Sequence, residues 1–328
     1  MKDRLAAAAV LCALIALTFS AAEATESARS ALVTCARIIL PSLFPFFVLS
    51  GLLESLGLPE RLGKNLSAPA ERLFGVSGCG AAAMLVGLTG GYPLGAACAA
   101  DLTAHGRIGR EEAERLLGFC NNTGPAFLIG AVGGGVFHSA SVGLLLYFSH
   151  VLAAILGGLI LRKKQAGISS APAPRIKAEP FSAAFPHAVS QAVSSVLIVC
   201  GYVVCFTVLL CLLDGRGLLS ILAGHIAAAC GLELHTAGAL LYGFFEIGSA
   251  IARLQNAAAT PENLSAAAAI IGWGGLSVHC QTAAVLSESA LSLRFHCFGR
   301  LLSALLSCAI VYGVSRFLQA LGILSLIL

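Results

Sequence analysis

The residues best able to do chemistry in this chain stand where apolar runs are interrupted. Asn121-Asn122-Thr123 sits beside Gly124-Pro125 inside the apolar stretch 116–137. Amide and hydroxyl groups next to a helix-breaking pair would offer donors and acceptors to a polar solute at membrane depth. Thr89-Gly90-Gly91-Tyr92-Pro93 interrupts the run 76–102 in the same way, and Ser277, His279 and Gln281 follow Gly272-Trp273-Gly274-Gly275 in the run 264–286. Glu246 lies inside the apolar stretch 237–254, where an ionisable group is costly and points to function. Two roles are open for it: a proton- or cation-coupling group, or an ion pair with Arg253, two helical turns along the same face.

The expected substrate-binding set is therefore Thr89, Gly91, Tyr92, Asn121, Asn122, Thr123, Gly124, Ser277, His279 and Gln281, with Glu246 as the ion-coupling residue. His279 reads equally as a donor to substrate and as a satisfied core histidine. Asp101, near a segment end, reads as solvated, and Arg37 as a side chain reaching for the interface. The glycines at 133–135 and 157–158 need only close helix packing to explain them. Neither cofactor nor metal is expected. Most of the twelve cysteines lie in apolar runs, no CxxC pair occurs, and buried cysteine packs as a small apolar residue. No HExxH, GxSxG or P-loop occurs, so the residues do not suggest an enzyme.

The elements that must position these residues follow from composition. The chain has 328 residues, 58% hydrophobic and 11% charged, and a mean hydropathy of +0.90. So few charges cannot cover a water-facing surface, so most of the surface faces lipid. A span takes roughly 20 apolar residues, and the length admits about eight to eleven segments. The basic residues are not interleaved with aromatics, which excludes a nucleic-acid partner. The expected partners are a small-molecule substrate, anionic or nucleoside-like, and the lipid bilayer, with homo-oligomer formation left open.

Residues 1–30 read as an uncleaved first helix followed by a short polar loop, although Ala22-Glu23-Ala24 also has the form of a cleavage site. A loop is expected around Glu60 to Arg72, and a charged loop from Arg107 to Arg115. Residues 162–180 carry Arg162, Lys163, Lys164, Arg175 and Lys177 against Glu179 alone, so the positive-inside rule makes them a cytoplasmic linker. After it, 181–194 reads as amphipathic and 195–213 as a span.

The flanking halves, 31–161 and 181–328, look related. Gly87 and Gly118 stand at nearly the same separation as Gly243 and Gly272, and each half carries two interrupted apolar segments. Interruptions at corresponding places in two halves mark a transporter's binding site, and half-helix N-termini aimed inward favour anions.

Taken together, several motifs resemble the YlbJ (SpoVV) family of sporulation integral membrane proteins, which carries the nucleoside-recognition or Gate domain. They are Ile39-Leu40-Pro41-Ser42-Leu43-Phe44-Pro45-Phe46-Phe47, Gly90-Gly91-Tyr92-Pro93-Leu94-Gly95, Asn121-Asn122-Thr123-Gly124-Pro125, Phe245-Glu246-Ile247 and Gly272-Trp273-Gly274-Gly275-Leu276-Ser277-Val278-His279. The resemblance spans about residues 30 to 325. It implies an all-α polytopic membrane protein with two inverted repeats and re-entrant hairpins, similar to concentrative nucleoside transporters. It also implies carriage of dipicolinic acid across the outer forespore membrane. Competing expectations are a nucleoside-type transporter and a non-transporting protein of spore or envelope assembly.

Overall fold

The computed structural model describes residues 2–163, 180–215, 217–255 and 257–324. Most of the 162–180 linker, including Lys164, Arg175 and Lys177, lies outside them. Among the described residues the chain forms fifteen α-helices, two π-helical stretches and no strand.

Helices α1 (Lys2–Phe19) and α2 (Ala21–Thr34) meet at a 99° bend, so the expected polar loop after Ala22 is helical. A π-helical stretch, Cys35–Ile39, leads into α3 (Leu40–Ser55), which contains Pro45. The wide turn lies just ahead of Pro41, where proline removes a backbone donor and crowds the preceding turn. Next come α4 (Leu58–Phe74), α5 (Gly78–Gly90), α6 (Leu94–Ala104), α7 (Arg110–Cys120), a π-helical stretch Ala126–Val136, and α8 (Ala140–Ile160). The stretch around Glu60 to Arg72, expected as a loop, is helical within α4. Charged residues there are compatible with an amphipathic surface helix.

The second half opens with α9 (Phe181–Asp214), one continuous helix rather than an amphipathic piece followed by a span. At 1.5 Å per residue, its 34 residues exceed the ~30 Å hydrocarbon core. It is followed by α10 (Leu218–Cys230), α11 (Leu234–Phe245), α12 (Ile247–Ala252), α13 (Pro261–Trp273), α14 (Gly275–Val285) and α15 (Arg294–Ala320). Three helices, α8, α9 and α15, are long and apolar enough to cross a membrane, and three bent pairs pass the same test together. The count expected from length was higher because half-helices of 11 to 13 residues consume apolar sequence without crossing. Only 22% of the most apolar window of α9 is buried in the protein, and Phe181, Phe185, Leu197 and Ile198 point outward, as lipid contact requires.

Helix α15 is the packing axis around which α7, α8 and α13 gather. Close approach there depends on glycine: a Cβ on Gly299 would collide with the backbone of Gly118, and one on Gly272 would lie 2.5 Å from the Ala304 Cα. The four glycines whose spacing related the halves therefore lie within helices, not at the breaks. Gly87 seats α5 on α7 at Cys120, Gly243 seats α11 on α13 at Ile270, and Gly118 and Gly272 both seat α15.

The stretch expected as a charged loop is instead a clip ending in α7. Arg115 donates to the Gly75 carbonyl at 2.8 Å and reaches the carbonyls of Phe74 and Leu161 at 3.5 Å, which caps α4 and α8. Glu112 accepts from the Ser77 amide at 2.6 Å, at the start of α5.

Candidate functional site

Four interruptions converge. The first lies between α5 and α6, where Gly91 adopts φ 88°, a conformation that disfavours any side chain. The second is the extended segment Asn121 to Gly124 between α7 and the π-helical stretch. The two touch: a Cβ on Gly91 would sit 2.9 Å from the Gly124 nitrogen. The third is Glu246 itself, extended at φ −149° and ψ 126°, between α11 and α12. The fourth is Gly274-Gly275, both at positive φ, between α13 and α14. These also touch, since a Cβ on Gly275 would lie 2.9 Å from the Phe245 carbonyl oxygen. Tyr92 joins the pairs: its hydroxyl reaches the Ile271 carbonyl at 3.4 Å and would contact a Cβ on Gly274 at 3.3 Å.

The broken ends are satisfied by buried side chains, as an apolar medium demands. Asn121 accepts from the Ala96 amide at 3.4 Å, serving the first turn of α6, and donates to Thr282 Oγ1 at 2.9 Å. Asn122 donates to the Phe119 carbonyl at 2.7 Å and accepts from Arg300 Nη2 at 3.1 Å. The Thr123 amide donates to His150 Nε2 at 3.1 Å, which assigns the proton of that neutral ring to Nδ1. Glu246 caps α12 with both oxygens, accepting from the amides of Gly248 at 2.8 Å and Ser249 at 2.5 Å.

An inner cavity of about 70 Å³ lies where the breaks meet. Gly91, Tyr92, Thr123, Gly124, Glu246 and Gln281 line it, opposite apolar side chains of α3 and α9 such as Leu43, Val199 and Val203. Six of the eleven expected residues are thus brought to one cavity. Asn121, Asn122 and Ser277 are buried behind it as supports, with Ser277 accepting from Gln281 at 3.2 Å. His279 lies against Trp273 and His296, with ring centroids 4.3 and 4.9 Å away, and is not part of the lining. Thr89 is exposed and donates to the Leu85 carbonyl of its own helix at 2.8 Å.

The Glu246–Arg253 pair that spacing allowed does not form. Arg253 lies over the Tyr242 ring, 3.5 Å from its centroid, and pairs with Asp214 at 3.7 Å. Glu246 is the extended N-cap of α12 and turns its carboxylate back onto the Gly248 and Ser249 amides, so the seven-residue spacing to Arg253 no longer implies a shared helix face.

An outer chamber of about 530 Å³ adjoins the cavity, with Ile39, Phe127 and Gly248 forming the wall they share. Thr34, Arg37 and Gln255 line it, and both π-helical stretches contribute to its walls. Arg37, expected at the interface, faces this chamber.

Sequence reasoning missed Arg300 and His150. His150 falls inside an apolar span, the same signal that singled out Glu246. Arg300 stands at the start of the last apolar stretch and reads as an end residue. It is buried because α15 begins earlier, at Arg294.

Interrupted helices from both halves meet at a small, mostly apolar cavity that holds the Glu246 carboxylate, and the fold is like that of solved membrane transporters. The chain superposes on two solved structures of CNTnw, a concentrative nucleoside transporter. One is inward-facing and substrate-bound, with a TM-score of 0.60 and 16% identity over 95% of this chain and 86% of that one. The other, a doubly substituted form, is outward-facing, with a TM-score of 0.58 and 14% identity over 96% and 87%. At these identities the likeness is one of fold. No family model matches the chain. It is 30% identical over 311 residues to the sporulation integral membrane protein YlbJ of Bacillus subtilis (strain 168), across 87% of this chain and 76% of that relative. The chain belongs to the YlbJ family of sporulation integral membrane proteins, as its motifs implied.

Proposed function

We propose that this protein is a secondary transporter of a small organic anion, with Glu246 as its coupling group. The observation that carries this reading is the meeting of four helix interruptions around one buried cavity that contains a carboxylate. Unwound backbone at membrane depth is tolerated where it lines a solute or ion site, and a scaffold has no need of it. We read 31–161 and 181–328 as inverted repeats, 1–30 as an N-terminal addition and 162–180 as a cytoplasmic linker. In support, the order two helices, two broken helices, long helix occurs from α3 to α8 and again from α9 to α15.

The segments that follow the four breaks begin near the cavity, and their dipoles favour negative charge there. An anion and an ionised Glu246 in so small a space repel each other. Loading would therefore require a proton or a cation on Glu246, which ties solute movement to an ion gradient. The cavity is below the ~300 Å³ at which pockets for ring-sized ligands begin, so the Ile39–Phe127–Gly248 wall must part during transport.

Membership in a sporulation family makes dipicolinate the first substrate to test and the outer forespore membrane the first location. The fold likeness to a nucleoside transporter gives nucleosides as the second reading. Uptake of labelled dipicolinate and uridine into proteoliposomes separates them. Dipicolinate accumulation above protein-free vesicles is expected; accumulation of uridine alone moves the assignment to nucleosides, and accumulation of neither removes the transport reading.

A further inference from the structure

Arg300 is fully buried in α15. Its Nη1 donates to the Tyr92 hydroxyl at 2.8 Å and its Nη2 to Asn122 Oδ1 at 3.1 Å. Its Nε is buried without an acceptor, and among the described residues no carboxylate pairs with it. Of the arginines already described, the buried Arg115 sits on helix-terminal carbonyls and the exposed Arg253 pairs with Asp214. Glu246 does not serve as counter-ion, since its two oxygens are occupied by the Gly248 and Ser249 amides.

A guanidinium cannot shed its proton to escape burial, so this is a fixed positive charge in an apolar setting with only neutral acceptors. Such a charge is expensive unless a function retains it. Both of its acceptors belong to helix breaks. Tyr92 lines the cavity, and Asn122 immediately precedes Thr123, another lining residue, whose buried Oγ1 has no partner of its own. A leucine at position 300 would avoid burying a charge, but would leave Asn122 Oδ1 unpaired and the cavity without a positive potential.

We propose that Arg300 is the positioning residue that sets charge selectivity, making the cavity favour a small carboxylate-bearing anion over a neutral solute of the same shape. The proposal rests on the transport reading for its site and adds to it the basis of discrimination. Arg300 acts through Tyr92 and Asn122, with the unpartnered Thr123 hydroxyl available as a direct donor to the carboxylate.

The test compares dipicolinate with its neutral diamide, as uptake into proteoliposomes and as thermal stabilisation of the detergent-solubilised protein. The wild type is expected to prefer the dianion. Arg300→Gln should lower that preference roughly tenfold or more, the scale of one unit charge acting through a protein interior. Arg300→Lys, which keeps the charge, should retain most of it. Should Arg300→Gln fail to fold, Asn122→Asp decides the matter: it is nearly isosteric, gives the guanidinium a carboxylate partner, and should erase the preference. An unchanged preference in Arg300→Gln or in Asn122→Asp overturns the proposal, as does an equal loss in Arg300→Lys and Arg300→Gln. Stabilisation by the dianion alone, without uptake, would support the charge assignment and remove the transport reading. Stabilisation by neither probe would overturn the charge assignment.

Discussion

Gly91 and Gly124 meet backbone to backbone: a Cβ on Gly91 would lie 2.9 Å from the Gly124 nitrogen, and one on Gly124 would lie 3.2 Å from the Gly91 nitrogen. The two positions differ in backbone conformation, because only Gly91 has a positive φ, at 88°. Gly91→Ala therefore combines a steric conflict with a positive-φ, extended backbone essentially reserved for glycine, which costs an alanine about 1–3 kcal/mol. Gly124→Ala meets only the tighter contact. Thermal unfolding in detergent should rank Gly91→Ala below Gly124→Ala. Gly109→Ala, which places a methyl group in open space, should stay close to wild type. Equal behaviour of the first two would mean that the breaks do not press together as described.

The bond from the Thr123 amide to His150 Nε2 holds the second break against α8. His150→Leu leaves that buried amide unsatisfied, a loss of about 1–3 kcal/mol. His150→Gln retains an acceptor of similar reach and should recover much of it. Chemical denaturation of both variants checks this, and a stability for His150→Leu equal to wild type would remove the anchoring role.

Thr123 and Gln281 line the cavity, whereas Asn121, Asn122 and Ser277 lie behind it. In a protein stripped of native cysteines, Thr123→Cys and Gln281→Cys should react with a small water-soluble thiol reagent, and bound substrate should slow both. Asn121→Cys, Asn122→Cys and Ser277→Cys sit behind the lining and should stay inert. Uniform reactivity of all five would indicate a wider aqueous space than the structure contains.

The basic excess of residues 162–180 predicts a cytoplasmic linker. A fusion at Ser170 should give signal from a cytoplasm-dependent reporter and none from alkaline phosphatase. The opposite pattern would reverse the orientation of the whole chain.

The breaks were legible in sequence because each puts Gly, Pro or clustered polar residues inside an apolar run. Their partners were not, since nothing local to Gly91 announces Gly124, and nothing near Phe245 announces Gly275. The repeat was read from glycine spacing, yet Gly87, Gly118, Gly243 and Gly272 prove to be packing glycines, which recur because both halves seat their helices alike. Charged runs misled: Glu60 to Arg72 is helix, and the stretch to Arg115 closes helix ends by tertiary hydrogen bonds. The Glu246–Arg253 pair failed for a similar reason, because helical spacing assumes an unbroken helix and Glu246 is itself the break. Arg300 stayed hidden because burial at a helix start depends on neighbours that the local sequence does not contain.

In the proposed transport cycle Glu246 couples an ion gradient to movement of an anion. Glu246→Gln keeps a side-chain oxygen to cap α12 and should lose only about 1 kcal/mol of stability. The decisive measurement is uptake of labelled dipicolinate by wild-type and Glu246→Gln proteoliposomes at matched protein content, with and without an imposed proton or cation gradient. Gradient-driven accumulation should vanish in Glu246→Gln while exchange of substrate for substrate persists. Accumulation equal to wild type, with the same pH and cation dependence, would contradict the coupling role.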